Sequence, residues 1–338
     1  MILPAGWPKA YPELDCIARF KAQPEDFKVD EDLAFVPAGA GEHLYLRLEK
    51  RLMETRRLAL DLAEAYAVAP IDVGYAGMKD KRAVARQWFS VCTPLGADVA
   101  CAAGYRVLES SRHERKLRRG QLAGNTFAVC LRGVSGDGWQ ERLQLVAATG
   151  VPNYFGPQRF GRDNLARALV WLPLRRRRSI SRFKQGLYLS VLRSYLFNQV
   201  LARRVEEDSW RDLLPGDVPV SENPQSANGA VATAPLWGRG RSATTDVAGK
   251  AEHAALAPHA EVCDALEYAG VQQQRRALVL RPGRLSWTTS GQDVSLRFEL
   301  LPGCYATTLL AEVFALDSSL GFSQDFARDS AREKEHSP

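Results

Sequence analysis

The sequence is poor in the residues from which metal centres and disulfide frameworks are built. Its 338 residues include six cysteines and five histidines. The cysteines are Cys16, Cys92, Cys101, Cys130, Cys263 and Cys304, and no two of them form a C-x-x-C pair. That scatter reads as reduced thiols in a cytoplasmic protein, not as a disulfide scaffold or a zinc ribbon. His113-Glu114 opens like the H-E-x-x-H zinc motif, but position 117 is Leu. Without C-x-x-C the zinc-deaminase signature is missing too. No G-x-x-x-x-G-K-S/T phosphate loop occurs, and Trp237-Gly238-Arg239-Gly240 carries only part of a dinucleotide fingerprint. No apolar run approaches the ~20 residues that span a bilayer. The opening MILPAGWP lacks the basic region and long apolar core of a secretory signal. What remains, if the chain is an enzyme, is chemistry with no metal and no cofactor.

The composition is that of a globular protein, 46% hydrophobic and 25% charged. At this length a single core stops growing, so two domains are expected. The net charge is +6, and the positive charge is concentrated. Residues 112–119 read RHERKLRR, and 175–178 are an unbroken RRRR followed by Arg182 and Lys184. Solvated faces account for many such runs. Two separate clusters in a basic chain match a long phosphate backbone better than a small ligand.

Short runs that alternate apolar and polar residues between Cys16 and Leu48 predict strands. Residues 55–66 have helical spacing, with Leu58, Leu62 and Ala65 on one face and Thr55 placed to cap. Residues 126–132 alternate as a strand, and 139–149 form a helix closed by Gly150. From 162 to about 207 the pattern is helical; Leu189, Leu192, Leu196, Val200 and Leu201 share one face of a long amphipathic helix. Residues 212–229 read as loop, and 242–256 as a small, polar, mobile stretch. Strand patterns return at 277–280 and 294–300. The economical account is an α+β chain in which a strand-rich domain is interrupted by a helical insertion. Few apolar anchors follow Leu316, which predicts a disordered tail.

The most informative segment is 71–91. Ile71-Asp72-Val73 leads in, Trp88-Phe89-Ser90-Val91 leads out, and a loop containing Gly74 and Gly77 lies between them. On the loop, Asp80 stands between Lys79 and Lys81-Arg82. Neighbouring cations hold a carboxylate ionised, which suits a nucleophile that works on a polyanion. Taken alone, such a tetrapeptide is most often a solvated turn.

Longer blocks change that reading. Residues 75–87, YAGMKDKRAVARQ, resemble the catalytic motif of the TruD family of pseudouridine synthases. PEDFKV at 24–29, GEHL at 41–44, GNTF at 124–127, NYFGPQRFG at 153–161, PLWG at 235–238 and YATT at 305–308 are similar to further blocks of that family, in the same order. The resemblance runs from about Phe20 to Glu312. It implies a pseudouridine synthase catalytic domain with a mixed or antiparallel sheet, formed by 1–150 and 280–316. It implies a mainly helical TruD-specific insertion at 151–279 and leaves 317–338 as the tail. It implies an isomerase that converts a uridine of tRNA, at position 13 in the D arm, to pseudouridine. Asp80 would be the catalytic group. Phe27, Asn125 and Tyr305 would contact the substrate. Lys21, Lys79 and Arg82 are the candidate orienting cations, with Lys21 favoured because the family carries a lysine before P-E-D-F. The partner implied is tRNA; the sequence leaves the oligomeric state open, with a monomer favoured.

Asn125 offers both donor and acceptor to the mixed edge of uracil, and Phe27 and Tyr305 offer ring faces. His43 reads as a structural hydrogen-bonding residue. The sequence departs from the family pattern at Ala85, Ala234, Tyr305 and Ala311, where Thr, Gly, Phe and Arg are usual. Those departures leave one alternative, a non-catalytic RNA-binding or RNA-chaperone protein that kept the fold. Alanine replacement of Arg175, Arg176, Arg177 and Arg178 is expected to weaken tRNA binding and flatten its dependence on salt concentration. Affinities measured across a salt series check this; an unchanged slope would make the run a solvated face.

Overall fold

The computed structural model describes residues 6–94, 104–161, 163–175, 180–221 and 229–317. Cys101, Arg176, Arg177, Arg178 and the expected tail beyond Asp317 lie outside them. The chain divides into two compact units. One comprises Leu14–Glu141, Pro282–Gly303 and Phe314–Pro338; the other comprises Met1–Glu13, Arg142–Arg281 and Cys304–Val313.

The first unit is built on one sheet. In chain order its strands are β1 (Ile17–Phe20), β2 (Phe27–Leu33), β3 (His43–Arg51), β4 (Val73–Tyr75), β5 (Val84–Cys92), β6 (Tyr105–His113) and β7 (Leu122–Ser135). After the chain has passed through the second unit, β13 (Gly283–Ser290), β14 (Asp293–Leu300) and β15 (Ala315–Asp317) complete it. The order across the sheet is β13-β14-β7-β2-β5-β3-β6, with β1 beside β7 and β15, and β4 beside β5. The pairs β2–β5 and β1–β15 are parallel and the others antiparallel. This is the mixed sheet of an α+β fold, as the sequence predicts.

Period-two burial explains the strands and places the site. On β14, Val294, Leu296, Phe298 and Leu300 are buried and alternate with more exposed residues. On β7 the buried set is Asn125, Phe127, Val129 and Leu131, and Phe127 stacks on Phe298, its register partner, at 5.4 Å. On β2 it is Phe27, Val29 and Glu31. Each of β2 and β7 thus carries one polar residue in an otherwise apolar row, and Glu31 pairs directly with Asn125. Leu44, Leu46 and Leu48 of β3 pack with α1 (Thr55–Ala65) through Leu58 and Leu62, and with Phe89 and Val91 of β5. Lys50, at the next position of the same period on β3, is wholly buried.

Helix α2 (Trp139–Thr149) ends as predicted at Gly150, whose φ of +78° is the left-handed conformation of a helix stop. In the second unit, β8 (Val151–Pro152), α3 (Pro157–Phe160) and α4 (Asn164–Leu174) precede the long helix α5 (Arg182–Glu206). Leu192, Leu196, Val200 and Leu201 of α5 are buried as the periodicity predicts. β9 (Pro219–Ser221) and β10 (Ala230–Leu236) follow, then α6 (Asp246–Leu256), α7 (Ala260–Tyr268), β11 (Gln274–Ala277), β12 (Val279–Leu280) and α8 (Ala306–Ala311). The stretch expected to be small, polar and mobile is therefore largely helix α6. Its buried stripe is Ala248, Glu252 and Leu256, and Glu252 is held by Arg275 and by Thr244 at 2.7 Å. A charged residue in the middle of the stripe hides the helical pattern from hydropathy. No described helix is long and apolar enough to cross a membrane.

Gly74 of β4 fixes how closely the site's hairpin approaches the segment after β6. A Cβ there would stand 2.3 Å from the Leu117 carbonyl oxygen and 2.6 Å from Ser90 Oγ. Gly74→Ala is expected to lower stability by about 1–3 kcal/mol through overpacking. Urea unfolding checks this; an unchanged midpoint would mean that the Leu117 segment yields freely.

Candidate active site

β4 and β5 form an antiparallel hairpin in which Val73, Gly74 and Tyr75 pair with Val91, Ser90 and Phe89. Asp80 lies on the loop between them, its side chain 39% exposed. One carboxylate oxygen receives the Lys21 ammonium, and the other accepts the backbone N–H of Arg82 at 2.9 Å. Burial alone would raise the pKa of this carboxyl. The charge and hydrogen bond of Lys21, the Arg82 amide and the charge of Lys50 outweigh it, and the net shift is downward. Asp80 is therefore a carboxylate throughout the neutral range and remains open to solvent.

Lys21 follows β1 with φ +57°. Its side chain is only 8% exposed, and its ammonium lies 4.0 Å from the centre of the Phe27 ring and 5.1 Å from that of Phe20. Phe27 is buried, meets Phe20 edge to face at 5.5 Å and tilts against Phe127 at 5.8 Å. The ring expected to stack on a base thus carries the cation that holds Asp80.

The loop backbone is fixed from beneath. Thr55 Oγ1 accepts the Lys79 N–H at 3.0 Å and donates to Gln87 Oε1 at 2.9 Å, and Gln87 Nε2 donates to the Gly77 carbonyl at 3.3 Å. Thr55 was expected to cap α1. It makes no capping bond; Glu54 holds the cap position and the buried Thr55 hydroxyl serves the loop instead. Lys50 donates to the carbonyl oxygens of Met53 at 2.6 Å, Asp80 at 3.0 Å and Lys79 at 3.5 Å. Lys50, Gln87 and the loop role of Thr55 are absent from the sequence reading. A lysine at an inward position of a strand, after three leucines, is the signal that marks Lys50.

The other sequence candidates separate. Lys79 lies next to Asp80 in the chain, yet its ammonium goes to Glu31 Oε2 at 2.7 Å and to the side-chain oxygen of Asn125. Arg82 reaches Asp80 through its backbone amide. Tyr305 belongs to the other unit, where its ring meets Phe155 edge to face at 6.1 Å. Ala85 is fully buried on β5, Ala234 is buried on β10, and Ala311 is exposed at the end of α8. Much of the run at 112–119 is fastened to the protein itself. Arg112 donates to the Thr93 and Pro94 carbonyls, Lys116 to that of Ile71, and Arg119 to the Tyr75 hydroxyl at 3.0 Å. Arg115 and Arg118 are exposed.

Strand pairing brings together one group that sequence spacing does not reveal. His43 and Cys92 face each other across β3 and β5, and with Glu42 their donor atoms lie within 4.8 Å of one another. Burial pushes the His43 pKa down; among the described residues its Nδ1 has no hydrogen-bond partner, and its Nε2 lies 3.7 Å from the Glu42 carboxylate. The group sits seven residues along β3 from Lys50, about 23 Å at the usual rise of a strand, and so is separate from the Asp80 loop.

The sequence model of the family described as tRNA pseudouridine synthase D (TruD) matches residues 12–174 and 177–313. The tRNA pseudouridine synthase D of Methylococcus capsulatus is 43% identical over 335 residues, covering 92% of this chain and 94% of that protein. That of Xanthomonas oryzae pv. oryzae is 42% identical, covering 90% and 94%. The fold is similar to a crystal structure of the putative tRNA pseudouridine synthase D (TruD) from Methanosarcina mazei. The TM-score is 0.65 at 20% identity, with 89% of this chain and 94% of that one covered.

The buried ammonium beneath the loop gives a pH test. Burial lowers the Lys50 pKa to about 8, against the opposing pull of Asp80. An unfolded lysine titrates near 10.4. Between those values the unfolded chain binds the extra proton, so stability rises with pH across the window, by about 3 kcal/mol in all. Lys50→Met is expected to lack that rise. Urea unfolding of both proteins from pH 7.5 to 10.5 checks it; parallel curves would show that Lys50 titrates as an exposed lysine does.

Proposed function

The chain belongs to the tRNA pseudouridine synthase D family, and from that premise we propose that it isomerises a uridine in the D arm of tRNA, at position 13, with Asp80 as the catalytic group. The enzyme class is isomerase, and tRNA is the partner. The observation that carries the role of Asp80 is its setting: a solvent-open carboxylate, clamped by the mostly buried Lys21 and kept charged, on a loop whose backbone is held from beneath.

In the reaction the N1–C1′ glycosidic bond breaks, the uracil turns, and C5 bonds to C1′. A proton leaves C5 and N1 regains one, so nothing is oxidised or reduced. A charged carboxylate serves by attacking the sugar or the ring, or by removing a sugar proton, and both routes need the ionised form that Lys21 maintains. Reaching the uridine requires it to leave its stack, at a cost of a few kcal/mol that contacts in the site offset. Asn125 contacts the base in this reading. Phe27 contributes by seating Lys21, and Tyr305 adds a ring on the strength of its family block. In this reading 1–150 with 280–316 form the catalytic domain and 151–279 the insertion, bounds that give the catalytic domain 1–13, 142–150, 280–281 and 304–313 in addition to residues of the first compact unit.

Asp80→Asn keeps the shape and removes the charge. The variant is expected to bind unmodified tRNA with at least the affinity of the unsubstituted protein and to form no measurable pseudouridine. Chemical mapping of pseudouridine in transcribed tRNA checks this. Turnover within tenfold of normal, in a preparation free of host enzyme, would remove Asp80 from the chemistry.

A further inference from the structure

Asn125 has one side-chain oxygen and one side-chain nitrogen, and the two are interchangeable in shape. Here the surroundings decide between them. Lys79 presents an ammonium, which can only donate, and its partner on Asn125 is the side-chain oxygen. Among the described residues no hydrogen-bond partner stands on the amide nitrogen.

Lys79 is itself held. Its side chain is 6% exposed, and such a buried cation needs a counter-charge. Glu31 provides it at 2.7 Å with a side chain that is 0% exposed. The second oxygen of Glu31 accepts the Trp88 backbone N–H at 3.3 Å. Glu31 and Asn125 are direct partners across β2 and β7, so the sheet register sets the spacing that Lys79 bridges. Gly77 leaves room for the arrangement. A Cβ there would come within 3.1 Å of Glu31 Oε2 and 3.4 Å of Lys79 Nζ.

We infer that Glu31 and Lys79 are positioning residues that lock Asn125 with its amide N–H toward the substrate, so that Asn125 offers a donor and no acceptor to the edge of the base. A base with a carbonyl at that edge, as uracil has at C4, is accepted. A base with an amino group there, as cytosine has, meets donor against donor. The inference deepens the proposed function and rests on it for the identity of the substrate. It also changes what the sequence implies for Asn125, whose acceptor is spoken for inside the protein.

The test measures binding, in the Asp80→Asn background, so that chemistry does not enter. A tRNA with uridine at the target position competes with the same tRNA carrying cytidine there. With Glu31, Lys79 and Asn125 intact, uridine is expected to be preferred by on the order of tenfold, the worth of one hydrogen bond against an unpaired donor. In Lys79→Met the amide is free to turn. The preference is then expected to fall to roughly threefold or less, chiefly by a gain for cytidine, which a merely structural loss would not produce. Lys79→Arg keeps the donor and is expected to restore part of the preference.

A Lys79→Met protein with a normal thermal transition and an unchanged uridine-to-cytidine ratio would overturn the inference, as would a ratio of one in the intact site. Glu31→Gln keeps shape and loses charge. Should Lys79→Met fail to fold, Glu31→Gln decides in its place: a reduced ratio supports the relay and an unchanged one sinks it. Pseudouridine formation by the unsubstituted protein is measured in parallel. No product with the base preference intact would sink the catalytic reading alone. Product formed while Lys79→Met keeps the ratio would sink the relay alone.

Discussion

A charged carboxylate that stays open to solvent on its loop depends on a cation fixed in advance. Lys21 fills that place, and much of the first unit is arranged around its side chain. The residue sits in left-handed backbone at φ +57°, which costs a residue with a Cβ roughly 1–2 kcal/mol. In return the side chain runs across the rings of Phe20 and Phe27 and delivers its ammonium to Asp80. The rings shield the ammonium from water and hold it without offering it a competing anion. The same Phe27 opens the apolar row of β2, so the hydrophobic core and the electrostatics of the site share a side chain.

Beneath the loop the protein has buried polar groups where apolar ones would pack as well. Thr55, Gln87, Lys50 and Glu31 all have relative exposures of 1% or less. Each is satisfied by the loop or by a neighbour that also holds the loop. Removing any one leaves its partners dry and unpaired, which costs more than the lost bond is worth. The arrangement ties the loop backbone to α1, β3 and β5, while Asp80 at its surface stays wet.

The sequence made the hairpin legible because strand, glycine loop and strand are contiguous, and Asp80 announces itself by the cations around it. The long helix α5 was legible for the same reason, through its own periodicity. What escaped was held by pairings between distant strands. Thr55 looked like a cap because Ser and Thr before an apolar run usually are. Its true partners, Gln87 and Lys79, lie about thirty residues away and arrive only when β5 pairs with β3. Lys79 looked like a partner of its chain neighbour Asp80, although register places Glu31 and Asn125 within its reach instead. The group Glu42, His43 and Cys92 was illegible on the same ground. Helix α6 was misread because Glu252 interrupts its buried stripe.

The two units are interleaved along the chain, and this bears on the order in which the protein can assemble during synthesis. Strand β7 needs β14 on one side, and their register joins residues 125–131 to 294–300. About 165 residues therefore leave the ribosome between the two halves of one ladder, including Arg142–Arg281 of the other unit. Until β14 appears, β7 presents an open edge whose inward face carries Asn125, Phe127 and Val129. An apolar strand edge of that kind invites pairing with other chains. The ladder that flanks Asn125 is thus among the last parts to close, whereas Lys50, Thr55 and Gln87, which hold the catalytic loop, and Glu31, across from Asn125, have left the ribosome long before it.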